Sequence, residues 1–248
     1  MILDRKAIIF DLDGTLIDSL GIWSQVDQAL IKRLSRDAVD VTEEQAYALR
    51  AAMMKRYGEG SEAYFKYCAD LKAMYGMPGT REDIHRQRYE IAAEFLRTRV
   101  NWRPGVPELL HALRAAGLRL AIATTTRRRN INVYADLNEG MRRAAPMREL
   151  FEAIITRDDV ERVKPDPEAF EKALAALDLS AKDCLVVDDA LPGIQGARAA
   201  GIDAAVMTEA HSNSPELRAA LDAEASVRFE SAWDMLDLLK AEAADKAA

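Results

Sequence analysis

Short runs of apolar residues recur along the chain and alternate with amphipathic segments. The runs lie at 7–10, 118–124, 153–156, 184–187 and 204–207. Uninterrupted apolar runs of this length are typical of strands that are covered on both faces, as in a parallel sheet. Segments 104–118 and 165–179 begin with a proline and repeat apolar residues at helical spacing. This order predicts an α/β fold with a doubly wound, mostly parallel sheet of the Rossmann-like type.

Residues 18–100 interrupt this alternation, because no apolar run there resembles a strand. Breakers at 57–60 and 76–80 separate helical patterns. The patterns lie at 22–34, 43–57, 61–75 and 81–99. We therefore predict an all-helical cap domain, residues 18–100, inserted after the first strand into an α/β core of residues 1–17 and 101–248. We expect hinges at 17–19 and 101–105, and an Ala-rich, frayed end at 241–248.

Composition excludes several classes of partner. The 248 residues are 49% hydrophobic and carry a formal net charge of −7, which argues against general binding to a nucleic-acid backbone. No apolar run approaches membrane-spanning length, and the first ten residues lack a signal-peptide pattern. We expect a cytoplasmic protein with no nucleic-acid or membrane partner. No heptad seam is visible, so a monomer and a weak homodimer both stay open.

Polar side chains follow three of the predicted strands, at the point where each strand ends. They are Asp11 and Asp13, then Thr124, Thr125 and Thr126, then Asp188 and Asp189, with Lys164 in a loop before the helix at 165–179. Ligands of open α/β sheets bind outside the carboxyl ends of the strands. We therefore expect four carboxylates, a hydroxyl and an ammonium at one edge of the sheet.

Four carboxylates and one lysine cannot all stay ionised in a shared pocket without further positive charge. A divalent cation with oxygen ligands offsets that charge, and Mg²⁺ is the usual choice beside phosphate. An aspartate can attack a phosphoryl group and form an aspartyl-phosphate that water later hydrolyses. A second carboxyl that holds a proton suits a general acid. The pattern therefore predicts Mg²⁺-assisted phosphoryl transfer, with one aspartate attacking and another carrying the proton.

Four sequence motifs, in this order, resemble the haloacid dehalogenase-like superfamily, in the phosphatase and β-phosphoglucomutase-like group with a helical cap after the first strand. They are DLDGT (11–15), Thr124 closing LAIAT, Lys164 in KPDP, and VVDDALPGIQGARAAG (186–201). The resemblance covers nearly the whole chain. It implies the same Rossmann-like core with an inserted helical cap.

The resemblance also implies catalytic roles for four residues. Asp11 would be the nucleophile and Asp13 the general acid and base. Thr124 would hydrogen-bond the phosphoryl oxygens, and Lys164 would hold the nucleophile and the phosphate together.

A magnesium site follows from the same resemblance. Asp11, the backbone carbonyl of Asp13, and Asp189 with Asp188 would bind Mg²⁺. Many relatives have Glu-Asp-Ser where this chain has Asp188-Asp189-Ala190. The side chain of Asp188 is one methylene shorter than glutamate, so direct contact with the metal and contact through water both stay open.

Comparison with the subfamilies favours a phosphatase. Dehalogenases lack the second aspartate, Asp13, and β-phosphoglucomutases carry a histidine early in the cap, where residues 20–30 have none. The resemblance therefore implies an Mg²⁺-dependent phosphatase that hydrolyses a small phosphorylated metabolite. The alternatives are a sugar phosphomutase and a catalytically idle binding or regulatory protein.

The segment after the second strand is the candidate substrate contact. Thr125 and Arg127 are assigned to substrate binding, and the run Arg127–Arg129 either reaches a second phosphate or forms a solvated face. The sequence ATTT followed by RRRN is similar to bacterial sugar-bisphosphate phosphatases of the Calvin-cycle type, although the early cap pattern of those enzymes is absent.

Overall fold

A six-stranded parallel sheet forms the centre of the α/β part of the chain. The computed structural model describes residues 2–19, 21–58, 61–207 and 214–247. The strands are β1 (Ala7–Phe10), β2 (Arg119–Ala123), β3 (Ala153–Ile155), β4 (Cys184–Asp188), β5 (Asp203–Met207) and β6 (Val227–Phe229). Their order is β3-β2-β1-β4-β5-β6, and every neighbouring pair is parallel.

Helices occupy most of the remaining described residues. In chain order they are α1 (Ile22–Leu34), α2 (Glu43–Tyr57), α3 (Ser61–Tyr75), α4 (Arg81–Thr98), α5 (Val106–Ala115), α6 (Arg128–Asn132), α7 (Glu139–Ala144), α8 (Met147–Leu150), α9 (Glu168–Leu177), α10 (Leu191–Ala199), α11 (Pro215–Glu224) and α12 (Ala232–Ala247). A π-helical turn, Val133–Leu137, follows α6. None of the helices in the described ranges is both long enough and apolar enough to span a membrane.

Both faces of the sheet are covered. All four residues of β1 are fully buried, and Ile8 lies opposite Leu120 and Leu185 in the neighbouring strands. Because side chains alternate between faces, Ala7 and Ile9 lie on one face, where they pack with buried residues of α9, α10 and α11. On the other face Ile8 and Phe10 are equally buried. The predicted doubly wound α/β core is therefore confirmed.

The chain divides by contact density into two compact units. One contains Met1–Asp18 and Asn101–Ala248, and the other contains Ser19–Val100. The second unit holds α1 to α4 and no strand in its described residues. Thr42 and Thr80 each begin a helix with a capping box, which satisfies backbone N–H groups of the first turn. Whether this helical unit works as a cap stays a prediction.

The two connections to the helical unit leave the α/β unit side by side. Ile17 forms a bridge with Trp102, and the N–H of Asp18 donates to the carbonyl of Asn101 at 3.1 Å. The N–H of Gly14 donates to Ile17 at 3.1 Å, which closes a turn directly after β1. These backbone bonds therefore tie the expected hinge segments to the motif at 11–15.

The C-terminal part differs from the sequence prediction. The three residues of β6 were not predicted as a strand, because Arg228 interrupts the apolar residues there. The expectation of a frayed end at 241–248 was wrong for 241–247, since α12 continues to Ala247; residue 248 lies outside the described residues. The N-terminal segment helps to hold this helix: the N–H groups of Ile2 and Leu3 donate to the Glu242 carboxylate at 3.1 and 2.8 Å, and Nζ of Lys246 donates to the Leu3 carbonyl at 2.9 Å.

Candidate active site

The ends of β1, β2 and β4 lie next to one another because β1 runs between the other two strands. Asp11 directly follows β1, and its N–H still donates to Val187 of β4 at 2.9 Å. Gly14 then adopts a left-handed conformation, with φ at 88°, which turns the chain away from the sheet. The turn leaves Asp11 buried and Asp13 half-buried at the carboxyl edge of the sheet.

Lys164 links two of the carboxylates. Its Nζ donates to Oδ1 of Asp11 at 2.6 Å and to Oδ2 of Asp188 at 2.7 Å, and the side chain is 5% exposed. Burial lowers the pKa of Lys164, but the negative charges of Asp11 and Asp188 outweigh it and raise the pKa above its ordinary value. Lys164 is therefore a buried ammonium. The aromatic ring of Phe170 lies 5.1 Å from its Nζ.

Three carboxylates lie close enough together to hold one metal ion. Oxygen atoms of Asp11, Asp188 and Asp189 all lie within 4.8 Å of one another. Burial raises the pKa of Asp11 well above its usual range, against the effect of Lys164. Burial, followed by the charge of Asp188, raises the pKa of Asp189 to about 6. These hard oxygen donors, ionised at a cost, fit a divalent cation that would offset their charge.

The two adjacent aspartates of β4 have different surroundings. Asp188 is 1% exposed; its Oδ2 accepts from Lys164 and its Oδ1 accepts from the N–H of Ala190 at 2.9 Å. Protein donors therefore reach both oxygens of Asp188, whose direct contact with a metal stays a prediction. Asp189 accepts a hydrogen bond at 2.8 Å from the hydroxyl of Thr15, in the motif that follows β1.

Two glycines make room for these carboxylates. A Cβ at Gly14 would lie 2.5 Å from Oδ2 of Asp189, and a Cβ at Gly193 in α10 would overlap the whole carboxyl group of Asp188. The first turn of α10 therefore packs against Asp188 so closely that only glycine fits.

Asp13 faces the hydroxyl groups of two threonines. The hydroxyl of Thr126 donates to its Oδ2 at 2.5 Å, and the hydroxyl of Thr124 lies 3.5 Å from the same oxygen. The carboxylate of Asp13 is not part of the three-carboxylate group. Tyr134, in the π-helical turn, is buried nearby; burial and then the charge of Asp13 raise its pKa. A metal contact through the backbone carbonyl of Asp13 stays a prediction.

Thr124 is 2% exposed at the end of β2. Its N–H donates to Ile155 at 2.9 Å, and its Oγ1 accepts from the N–H of Thr126 at 3.1 Å. The hydroxyl therefore lies at the predicted edge, beside Asp13.

The substrate contacts assigned to the next residues have no support in the geometry. Thr125 is exposed, and the guanidinium of Arg127 donates to Asp158 at 3.0 Å on the surface. Arg128 likewise donates to the carbonyl of Ile154 at 2.8 Å. Both guanidinium groups thus bind residues that follow or belong to β3, and their contact with a substrate stays a prediction.

Two site residues were missed from the sequence. Arg103 is 6% exposed, and burial lowers the pKa of its guanidinium. The negative charges of Asp189 and, to a smaller extent, Asp18 act in the opposite direction and raise that pKa. Arg103 adds a second cation beside the carboxylates. Thr126, which binds Asp13, is the other: the sequence places it after β2 with Thr124 and Thr125 but gives it no role. Arg103 lies within the predicted hinge segment 101–105.

Comparison with protein families decides the relationship. A family model described as haloacid dehalogenase-like hydrolase matches residues 5–201. The chain belongs to this family. The predicted resemblance and the prediction of an enzyme are therefore confirmed.

Named relatives agree with this assignment. The chain is 30% identical over 220 residues to protein CbbY of Rhodobacter capsulatus, covering 88% of this chain and 92% of that protein. It is 31% identical over 204 residues to phosphoglycolate phosphatase of Nitrosospira multiformis, covering 79% and 80%. A crystal structure of CbbY from Rhodobacter sphaeroides in complex with xylulose-(1,5)bisphosphate has a TM-score of 0.64 and 25% identity, covering 92% and 95%.

Proposed function

We propose that the protein is an Mg²⁺-dependent phosphatase that hydrolyses a small phosphorylated metabolite through an aspartyl-phosphate on Asp11. The observation that carries this proposal is the position of Lys164, whose ammonium binds Asp11. Beside it, oxygens of Asp11, Asp188 and Asp189 lie close enough together to bind one metal ion. A buried ammonium beside a buried carboxylate is the arrangement that an anionic phosphoryl group needs for close approach.

In the first step, an oxygen of Asp11 attacks phosphorus and the bond to the ester oxygen breaks. The bonding electron pair leaves with that oxygen, which takes a proton from the carboxyl group of Asp13 and departs as an alcohol. The hydroxyl of Thr124 and the ammonium of Lys164 bind the phosphoryl oxygens. Mg²⁺, held by Asp11 and Asp189 with Asp188 and the Asp13 carbonyl, would neutralise charge on the phosphoryl group.

In the second step, water attacks phosphorus and gives its proton to Asp13. The bond between phosphorus and Asp11 breaks, which releases inorganic phosphate and restores both side chains. Asp13 therefore acts first as acid and then as base, which requires its carboxylate to keep one orientation in both steps.

The relatives support a class of substrate for this chain. One relative is named phosphoglycolate phosphatase, and CbbY was crystallised with a sugar bisphosphate. We infer a small, strongly anionic phosphate monoester for this chain. Specificity from the helical unit, a monomer or weak homodimer, the cytoplasmic location, and the absence of nucleic-acid and membrane partners all remain predictions.

Phosphate release from p-nitrophenyl phosphate and from a panel of sugar phosphates, sugar bisphosphates and phosphoglycolate tests the proposal. We expect turnover with Mg²⁺, none with chelator, and a loss of at least about 10⁴-fold for Asp11→Asn, the range seen when a nucleophile is removed. The control is a circular-dichroism spectrum that shows the variant folded. Wild-type rates in a folded Asp11→Asn protein would refute the mechanism.

The same panel separates the alternatives. A sugar phosphomutase would need a bisphosphate activator and would convert one phosphate isomer to another with little net release of phosphate. A catalytically idle protein would bind phosphate esters without turnover, in the presence of Mg²⁺.

A further inference from the structure

The carboxylate of Asp13 is held by a hydroxyl that lies outside the four motifs on which the family resemblance rests. Thr126 Oγ1 donates to Asp13 Oδ2 at 2.5 Å, whereas Thr124 Oγ1 lies 3.5 Å from the same atom. The shorter bond comes from Thr126, so this residue constrains the carboxylate more strongly than Thr124 does.

Thr126 is itself fixed by the loop that follows β3. Its carbonyl accepts from the N–H of Arg157 at 3.0 Å, and its N–H donates to the hydroxyl of Thr124 at 3.1 Å. Two residues later, the N–H of Arg128 donates to Asp158 at 2.8 Å. Hydrogen bonds to the backbone therefore hold Thr126 on both sides, and its hydroxyl points to the Asp13 carboxylate.

We propose that Thr126 is a positioning residue for proton transfer: its hydroxyl keeps the Asp13 carboxyl group oriented toward the ester oxygen that departs. The inference rests on the proposed function, because it assigns to Thr126 the orientation of the residue that gives and takes the proton. A donor on Oδ2 stops the carboxyl group from rotating about its terminal torsion, which is otherwise broad. Thr126 therefore assists Asp13 without contacting phosphorus.

The leaving group distinguishes this role from general support of the fold. The phenolate leaving group of phenyl phosphate is about as basic as a tyrosine side chain, whose pKa is about 10, so its departure needs a proton. p-Nitrophenolate is a far weaker base and departs without one. A change that misdirects Asp13 should slow the first step for phenyl phosphate and leave it nearly unchanged for p-nitrophenyl phosphate.

The experiment compares Thr126→Val, which keeps the shape and removes the hydroxyl, with Thr126→Ser, which keeps the hydroxyl. Thr98→Val is the control, because the Thr98 hydroxyl donates to the Glu94 carbonyl at 2.8 Å on the exposed end of α4. Single-turnover rates with Mg²⁺ are measured for both esters, together with steady-state kcat and KM. Circular dichroism shows that each variant is folded.

We expect Thr126→Val to lower the single-turnover rate for phenyl phosphate about 10- to 100-fold, part of the usual contribution of acid catalysis. The rate for p-nitrophenyl phosphate and the KM of both esters should change less than about threefold, and Thr126→Ser should restore the phenyl phosphate rate to within about threefold. Equal losses with both esters, or no loss with either, would overturn the inference while wild-type turnover still supports the phosphatase. A wild-type protein without turnover would overturn both.

Discussion

An ion pair that solvent does not reach joins two helices of the helical unit. Arg88 of α4 donates to Asp27 of α1 at 2.6 and 3.2 Å, and both side chains are 0% exposed. The hydroxyl of Tyr67 donates to the same carboxylate at 3.1 Å. The guanidinium also lies 4.8 Å from the ring centre of Trp23. Variants of this pair therefore measure how much a buried charge contributes to the stability of the helical unit.

Replacing Arg88 by methionine would leave the Asp27 carboxylate buried without its cation. Removing one partner of a buried ion pair costs about 3–5 kcal/mol, roughly two to four orders of magnitude in the unfolding equilibrium constant. Removing both partners costs far less, because no charge is left buried. Nη1 of Arg88 has no hydrogen-bond partner, so the pair is incompletely satisfied. We expect Asp27→Leu with Arg88→Met to cost about 1–3 kcal/mol, less than Arg88→Met alone, because only the buried Tyr67 hydroxyl then loses its partner.

The free energy of unfolding of the helical unit can be measured in urea by hydrogen exchange with mass spectrometry, because the exchange is assigned to peptides within residues 19–100. The matched control is Lys32→Met, which breaks the Lys32–Asp40 pair, where both side chains are 63% exposed. That variant should cost less than about 1 kcal/mol. An Arg88→Met cost equal to that of Lys32→Met, or a double variant as unstable as Arg88→Met, would refute the reasoning.

Three further outcomes follow from the described contacts. Gly193→Ala should displace the Asp188 carboxylate, reduce turnover, and lower the free energy of unfolding by about 1–3 kcal/mol through overpacking, measured by urea melts. Gly140→Ala in exposed α7 should be neutral or stabilising. Mg²⁺ at 100 times its dissociation constant should stabilise the wild type by about 2.7 kcal/mol, measured by thermal shift, and an Asp189→Asn variant much less. Hydrogen bonds from Thr80, the cap residue of α4, lower the pKa of Asp83 to about 2. The stabilising effect of the Asp83 carboxylate is therefore present above pH 4 and lost as pH falls toward 2. Urea melts of Asp83→Asn and wild type should accordingly converge at pH 2.

The helices of the insertion could be predicted closely because breakers delimit them. The patterns at 22–34, 43–57 and 61–75 coincide with α1, α2 and α3, and the pattern at 81–99 ends one residue beyond α4. Strand β6 could not be predicted, because three residues with a central arginine give no periodic signal. These residues form a strand because they pair with β5.

The position of the site could be predicted, but the partners within it could not. Strand ends alone predict that Asp11, Thr124 and Asp189 lie at one edge, because parallel strands end together. Which oxygen a hydroxyl contacts depends on loop geometry that no spacing encodes. Thr126 gains its direction from the loop after β3, and Arg103 from the backbone bond that its N–H makes to Leu16 at 3.0 Å.

The two aspartates of the opening motif differ in their partners, although only one residue separates them. Asp11 is buried against an ammonium and two further carboxylates, and burial raises its pKa, so a nearby cation is needed before it can attack as a carboxylate. Asp13 instead accepts hydrogen bonds from threonine hydroxyls, which can serve it with or without its proton. In the proposed mechanism, the ammonium of Lys164 beside Asp11 supports attack on phosphorus, and the hydroxyl of Thr126 beside Asp13 supports proton transfer.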